Sequence, residues 1–205
     1  MASTYLTRTV PSDGNRKIWT WSAWVKGQPT TPTNSMSGQT LFSVGTSVQN
    51  RTHWFISDGY FTFRNEISDT QLRLITNRTF TDPNGWYHLV LAVDTTQSTA
   101  SNRVKLYVNG EQVTSFSTEE YPNQNDDTFV NNNQEHRIGS ASWSSSSYWD
   151  GLMTHLHFID GTQYAASAFG ETDTTTGEWK AKTSPSVTYG TNGFFIFKDG
   201  NGITD

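Results

Sequence analysis

Short runs of aromatic and β-branched residues alternate with clusters of Gly, Asn, Asp, Ser and Thr along the whole chain, and helical periodicity is nearly absent. This alternation is typical of antiparallel strands joined by turns. One weakly helical turn is expected at Ala165–Phe169. The predicted strands are Thr4–Arg8, Ile18–Lys26, Thr40–Val44, His53–Ser57, Tyr60–Arg64, Gln71–Thr76, Trp86–Asp94, Arg103–Asn109, Glu111–Phe116, Glu135–Gly139, Trp149–Ile159 and Gly193–Lys198.

Two β-hairpins are marked by their turn residues. Val104–Val108 runs into Asn109-Gly110, after which the chain resumes as a strand. Asp58-Gly59 separates two further aromatic runs in the same way. Asn-Gly and Asp-Gly supply the two positive φ angles that a type I′ turn requires, so both pairs predict tight hairpins.

Composition is compatible with a single β-sandwich over residues 1–205. The 8 Trp, 12 Phe and 8 Tyr can fill a core despite the modest aliphatic content. The chain has no Cys, so the fold owes nothing to disulfides, which suits assembly in a cytoplasm. The net charge of −5 without a long basic run argues against nucleic acid and anionic membranes as partners. No apolar segment approaches the ~20 residues that a membrane span needs, so no membrane insertion is expected.

Several stretches resemble laminin-G-like and pentraxin-like domains of the concanavalin A type. Ile18–Lys26 is similar to their early core strand, Gly85–Val90 to their central strand and Trp149–Phe158 to their closing strand. Val104–Val113 is similar to their hairpin. The resemblance implies an all-β, antiparallel two-sheet jelly-roll sandwich.

Other stretches resemble structural proteins of tailed phages. They are Tyr5–Thr9, Ser101–Lys105, Phe158–Gly161, Phe169–Asp173 and Tyr189–Phe194. In that group the domain is one part of a longer virion protein, so this chain is expected to be an excised part of a tail fibre or other virion protein. The resemblance implies synthesis in the host cytoplasm, a place in the phage particle and no well-defined catalytic site.

The segment Ser140–Tyr148 carries Trp143 and Tyr148 among serines. An aromatic ring in such a loop favours a binding surface, because it can cover the apolar face of a sugar. Nearby Asn131 and Asn133 can bond the hydroxyls, so these four residues form the predicted glycan site. In the alternative interpretation Trp143 folds back over a sheet edge and packs. The long segments Gly27–Gln39 and Ser117–Gln134 are rival surfaces.

Calcium is the one cofactor that the sequence suggests. The stretch Asn123–Asn133 is dense in Asn and Asp, whose oxygens are the ligands that calcium prefers. Asp126 and Asp127 are the predicted ligands. However, Asn and Asp are also ordinary turn residues, and their spacing here fits no fixed template.

Catalytic patterns are not found. A sandwich glycosidase needs two carboxylates about 5–9.5 Å apart, which acids at i and i+2 or i+4 of one strand provide, and no predicted strand carries such a pair. Glu119-Glu120 and Asp126-Asp127 are adjacent pairs, and adjacent side chains on an extended segment point to opposite faces. His155 and His157 are predicted to form a surface pair rather than a metal site, because no third ligand is identifiable.

Three functions remain open on the sequence alone. The first is a non-catalytic virion module that binds host-surface glycans. The second is a structural or decorative domain whose partners are other virion proteins or, in a homo-oligomer of the full-length protein, copies of itself. The third is a polysaccharide-degrading enzyme. The first is preferred, since it uses the aromatic loop and needs no catalytic group.

Overall fold

The computed structural model describes residues 4–27, 38–68, 70–144 and 147–198, and they form a sandwich of two antiparallel sheets. The expected all-β, laminin-G-like fold is confirmed. Helix is confined to α1 at Ala100–Arg103 and to a 3-10 turn at Ala166–Ala168 within the described part of the chain. None of the described helices is long and apolar enough to span a membrane.

The first sheet has seven strands in the order β1-β11-β3-β4-β5-β6-β10. Both of its edge strands, β1 and β10, are short. The strands are β1 Leu6–Thr9, β3 Gln39–Ser47, β4 Asn50–Ser57, β5 Tyr60–Ile67, β6 Thr70–Thr79, β10 Phe116–Glu119 and β11 Glu135–Ile138.

The second sheet has six strands in the order β15-β12-β2-β7-β8-β9, and a separate pair, β13 with β14, lies outside it. The six strands are β2 Ile18–Gly27, β7 Tyr87–Asp94, β8 Val104–Val108, β9 Glu111–Gln112, β12 Gly151–Asp160 and β15 Phe194–Ile196. The pair is β13 Gly170–Thr172 and β14 Trp179–Ala181.

The core lies between the two sheets and is rich in aromatic rings. Alternate residues of each strand point into it, as the two-residue period of a strand requires. The indole rings of Trp21 and Trp54, one from each sheet, meet edge to face with centroids 4.5 Å apart. These rings, with Trp19 and Phe61, are 0–1% exposed, so aromatic burial supplies much of the stability of this cysteine-free fold.

The segment from residue 161 to residue 198 covers the outer face of the six-stranded sheet, apart from β15, which is the edge strand of that sheet. Val90, Ala92 and Ile159 point outward from that sheet, yet they are completely buried. They pack in a second hydrophobic cluster with Phe169 and with the half-buried Trp179 of this segment. This part of the sheet's outer face is therefore an interior, whereas the described residues of the C-terminal segment leave the outer face of the seven-stranded sheet uncovered.

The two predicted hairpin turns have the backbone that their residues favour. Asn109 and Gly110 have φ of 48° and 87°, and Asp58 and Gly59 have φ of 53° and 82°. Both residues of each pair thus adopt the positive φ of a type I′ turn.

One predicted strand is divided into two separate strands in the structure. Glu111–Phe116 was expected to continue as a single strand, but β9 ends at Gln112 and β10 begins at Phe116. β9 pairs with β8 of the six-stranded sheet, whereas β10 pairs with β6 of the other sheet. The chain crosses between the sheets at residues 113–115, so the two halves cannot share one straight strand.

Candidate functional site

The outer face of the seven-stranded sheet carries a line of polar side chains that the strand register assembles. Arg137 lies opposite Ser43, Ser43 opposite His53, His53 opposite Arg64, and Arg64 opposite Arg73. Directly opposite residues project from the same face of a sheet, so these five side chains form one row across five strands. We call it the basic row.

Beside the basic row lies a buried ionic group. Arg51 donates from Nε to Glu66, and Arg64 lies 3.3 Å from the same carboxylate. The side chains of the three residues are only 1–6% exposed. A buried charge is tolerated when it is paired, and here two guanidinium groups share one carboxylate.

His53 lies between the two arginines and is 3% exposed. Burial lowers its pKa well below 6.5, and the positive charges of Arg51 and Arg64 lower it further. Neither nitrogen of the His53 ring has a hydrogen-bond partner among the described residues. His53 is therefore a neutral ring at neutral pH, stacked on Phe55 with centroids 4.6 Å apart.

Trp143 lies directly above this group. The backbone N–H of Ser142 donates to Oγ of Ser43 at 2.9 Å, and its hydroxyl donates to the carbonyl of Gly45. These bonds hold the loop on the sheet, with the Arg51 guanidinium 4.5 Å from the Trp143 ring centroid. The indole also meets the His53 ring edge to face at 4.7 Å. Trp143 is half-buried, so the loop folds back onto the sheet face while part of the ring stays accessible.

Tyr148, the second predicted aromatic, is half-buried and lies against Tyr5, with ring centroids 6.2 Å apart. The Arg137 guanidinium lies 4.7 Å from the Tyr5 centroid. Tyr5 is 38% exposed and was not predicted as a site residue. Its position just before β1 gave no functional signal, because only the pairing of β1 with β11 brings it to this face.

The two predicted asparagines lie elsewhere in the fold. Asn131 is fully buried, and its amide nitrogen donates to the carbonyl of Asn15 and to Asp160. This bonding gives it a role inside the fold, so the sequence-based assignment of Asn131 to a contact surface is corrected. Asn133 is exposed, but its backbone N–H donates to Asp13 and its amide to the Pro11 carbonyl.

The predicted calcium ligands take part in local contacts. Asp126 accepts a hydrogen bond from the backbone N–H of Asn123 at 2.8 Å, which closes a turn. The Asp127 carboxylate lies 3.6 Å from a guanidinium nitrogen of Arg16. Both residues line a cleft of about 420 Å³ with the side chain of Asn65. In the described ranges no three His, Cys, Asp or Glu side chains converge as a metal site would require, and calcium binding stays a prediction.

The histidine pair on β12 differs from the expectation. The register of β12 shifts between Thr154 and His157, which marks a β-bulge there. However, His157 is 1% exposed, because Phe195 stacks on it at 4.0 Å and the Tyr189 hydroxyl bonds its Nδ1 at 2.8 Å. The predicted surface pair is wrong, since the segment 161–198 covers one member.

His88 makes the hydrogen bond that most resembles a catalytic pair. Its Nε2 lies 2.9 Å from Oγ of Ser22, while its Nδ1 accepts the indole N–H of Trp179 at 2.9 Å. Because Nδ1 is the acceptor, the proton resides on Nε2, which donates to the serine. The histidine therefore cannot take the proton of Ser22, and Ser22 is fully buried. His88 packs against Trp24 and Trp179.

A laminin G family model described as the concanavalin A-like lectin/glucanases superfamily matches residues 2–168. The chain belongs to this superfamily. Its description joins lectins with glucanases, so membership establishes the sandwich and leaves both binding and hydrolysis open. No curated protein matches the sequence significantly.

Solved structures agree with this assignment. The LG1-3 region of the laminin α2 chain aligns with a TM-score of 0.52 and 10% identity over 75% of this chain and 29% of that chain. The LG4-5 domains of the mouse laminin α1 chain align with a TM-score of 0.52 and 8% identity over 95% of this chain and 44% of that one. A heptameric SAP-like pentraxin from Limulus polyphemus aligns with a TM-score of 0.49 and 16% identity, over 78% of this chain and 71% of the pentraxin. This chain thus spans less than half the length of the laminin chains, and the likeness shows the laminin-G-like fold.

Proposed function

We propose that this domain is a non-catalytic, lectin-like module that binds a glycan on the outer face of its seven-stranded sheet. The observation that carries the proposal is Trp143, which is fixed by Ser142 over Arg51 but remains partly accessible. A ring held in place by its surroundings binds at a low cost in conformational entropy. Tyr148 and Tyr5 extend the aromatic surface on the same face.

The arrangement of the acidic groups supports binding rather than hydrolysis. Glu66 and Glu135 belong to the same row of the outer face but are separated by two intervening strands. Three strand spacings of ~4.8 Å place them about 14 Å apart, beyond the range of a glycosidase pair. The Glu66 carboxylate is also paired with both Arg51 and Arg64, so its oxygens are engaged by guanidinium groups inside the fold.

The biological setting that we propose is a tailed-phage virion. It is supported by the resemblance of Tyr5–Thr9, Phe169–Asp173 and Tyr189–Phe194 to phage structural proteins. In this setting the ligand is a glycan of the host surface, and other virion proteins or copies of the full-length chain are the neighbours in the particle.

The proposal predicts that Trp143→Ala abolishes binding on a glycan array or to host cells while the domain stays folded. Since Trp143 is half-buried, we expect a loss of about 1–2 kcal/mol in unfolding free energy, less than the ~3–5 kcal/mol of a core aromatic. Trp86→Ala is the matched control, because Trp86 is 38% exposed and precedes β7 of the other sheet. It should leave binding unchanged.

Three results would contradict the proposal. Equal binding by wild type and Trp143→Ala would remove this face from the site. Adsorption of the wild type only to purified virion proteins would favour the assembly function. Steady release of reducing ends from a bound polysaccharide would establish an enzyme.

A further inference from the structure

The basic row is unusual because it places like charges directly opposite each other. Arg64 and Arg73 are cross-strand partners on β5 and β6. Such pairs destabilise a sheet, since their Cβ atoms lie only about 5 Å apart. The fold offsets the repulsion with a carboxylate on each side: Glu66 pairs with Arg64, and Glu120 lies 3.6 Å from Arg73.

The charges of this face leave a positive surplus. Among the described residues, its four paired arginines are Arg51, Arg64, Arg73 and Arg137, and the three carboxylates paired with them are Glu66, Glu120 and Glu135. Four positive charges against three negative ones give a surplus of one, since Glu66 serves two arginines. The whole chain, in contrast, carries −5. Like charges placed directly opposite each other lower the stability of the fold. Proteins retain such local conflicts mainly at functional surfaces, where the same charges bind a ligand.

The arginine side chains at the two ends of the basic row are more exposed than the one between them. The side chains of Arg73 and Arg137 are 33% and 17% exposed, whereas that of Arg64 is 6% exposed. Four strand spacings of ~4.8 Å separate β11 from β6, so the two end arginines stand about 19 Å apart. Trp143 lies between them, over His53. An oligosaccharide that crosses the strands over the indole can meet a guanidinium group at either end.

We propose that the glycan bound by this face is acidic and carries carboxylate groups that pair with Arg73 and Arg137. The inference rests on the proposed glycan-binding function and names the class of ligand. A guanidinium group binds a carboxylate through charge-assisted hydrogen bonds, which contribute both affinity and orientation. In Arg137, Nε donates to Glu135 and Nη1 to the Ala141 carbonyl, which leaves Nη2 to meet a ligand carboxylate.

The test compares polygalacturonate with fully methyl-esterified polygalacturonate, which has the same backbone without the charges. We expect the wild-type domain to bind the acidic form at least ~10-fold more tightly, with a preference that weakens as salt is added. Because the net charge of −5 opposes this binding, a preference reports the local face and not the bulk charge.

Arg73→Gln separates binding from folding. It should weaken binding to polygalacturonate about 5–10-fold, while the melting temperature stays unchanged or rises, because the variant relieves the repulsion from Arg64. Lys180→Gln is the control. It also removes one positive charge, but Lys180 is on β14, outside the seven-stranded sheet. Its binding should equal that of the wild type.

The outcomes distinguish this inference from the proposed function. Equal affinity for the two polymers, or binding to neutral glycans but not to polygalacturonate, overturns the acidic ligand and leaves glycan binding standing. Binding to dextran sulfate but not to polygalacturonate overturns the assignment of carboxylate groups to the ligand. Equal losses in Arg73→Gln and Lys180→Gln overturn the role of the row. A domain that binds no glycan of any kind overturns both proposals.

Discussion

At the scale of single residues, Gly110 shows how a sequence signal and a tertiary contact can coincide. Its φ of 87° fits the type I′ turn that Asn-Gly predicts. In addition, a Cβ at this position would lie 2.7 Å from a ring carbon of Trp179. The sequence revealed the first requirement. The second depends on a segment about 70 residues later in the chain, so no local pattern could show it.

Gly110→Ala should therefore lower the free energy of unfolding by about 2–4 kcal/mol, the sum of left-handed backbone strain and overpacking. Gly177→Ala isolates the first contribution, because Gly177 has a φ of 76° and an added Cβ would meet nothing within 4 Å. It should cost about 1 kcal/mol. Chemical denaturation of both variants measures the difference. An equal loss of unfolding free energy in Gly110→Ala and Gly177→Ala would show that the Trp179 ring moves aside without cost.

At the scale of elements, the strands were predicted well, but apart from the two hairpins, which pair β4 with β5 and β8 with β9, their partners were not. Most strand positions follow from aromatic and β-branched runs, whose alternation is local. The basic row combines Arg137, Ser43, His53, Arg64 and Arg73, which are distant in sequence. Register alone places them side by side, so the candidate site was predicted only at Trp143 and Tyr148, where an aromatic loop is visible locally.

The segment 161–198 is the element that sequence patterns identified least, because its strands β13 and β14 have only three residues each. Phe169 anchors it and is 2% exposed. Phe169→Ala should cost about 3–5 kcal/mol, as for a buried core aromatic. Limited proteolysis should then cleave first within this segment, while glycan binding at saturating ligand persists, since the segment covers the opposite sheet. Loss of binding together with unchanged stability would contradict this division of roles.

At the scale of the whole molecule, both sheets keep histidines neutral inside the fold. Burial is the main cause in each case, and it lowers the pKa of His88 and His157 to about 3 and that of His136 to about 4. The pKa of His53 is also held well below 6.5. These side chains come from β7, β12, β11 and β4, so the effect of pH is distributed over the sandwich.

This distribution predicts a fold that weakens as the solution becomes acidic. A histidine in the unfolded chain takes up a proton near pH 6.5, whereas the buried one resists protonation until about pH 3–4. The contribution of each histidine to the free energy of unfolding is thus complete above pH 6.5 and is lost as the pH falls from there toward the folded-state pKa.

By pH 5 the loss of unfolding free energy is on the order of 2 kcal/mol for each histidine. Three such losses, with a further loss of the same sign from His53, are comparable to the ~5–15 kcal/mol stability of a typical domain, so we expect cooperative unfolding between about pH 5 and 4. Thermal melts from pH 8 to 4 measure this slope, and His157→Asn should make it shallower by the equivalent of one proton. A melting temperature that is constant from pH 7 to 5 would mean that these rings are protonated in the folded state or become hydrated without unfolding.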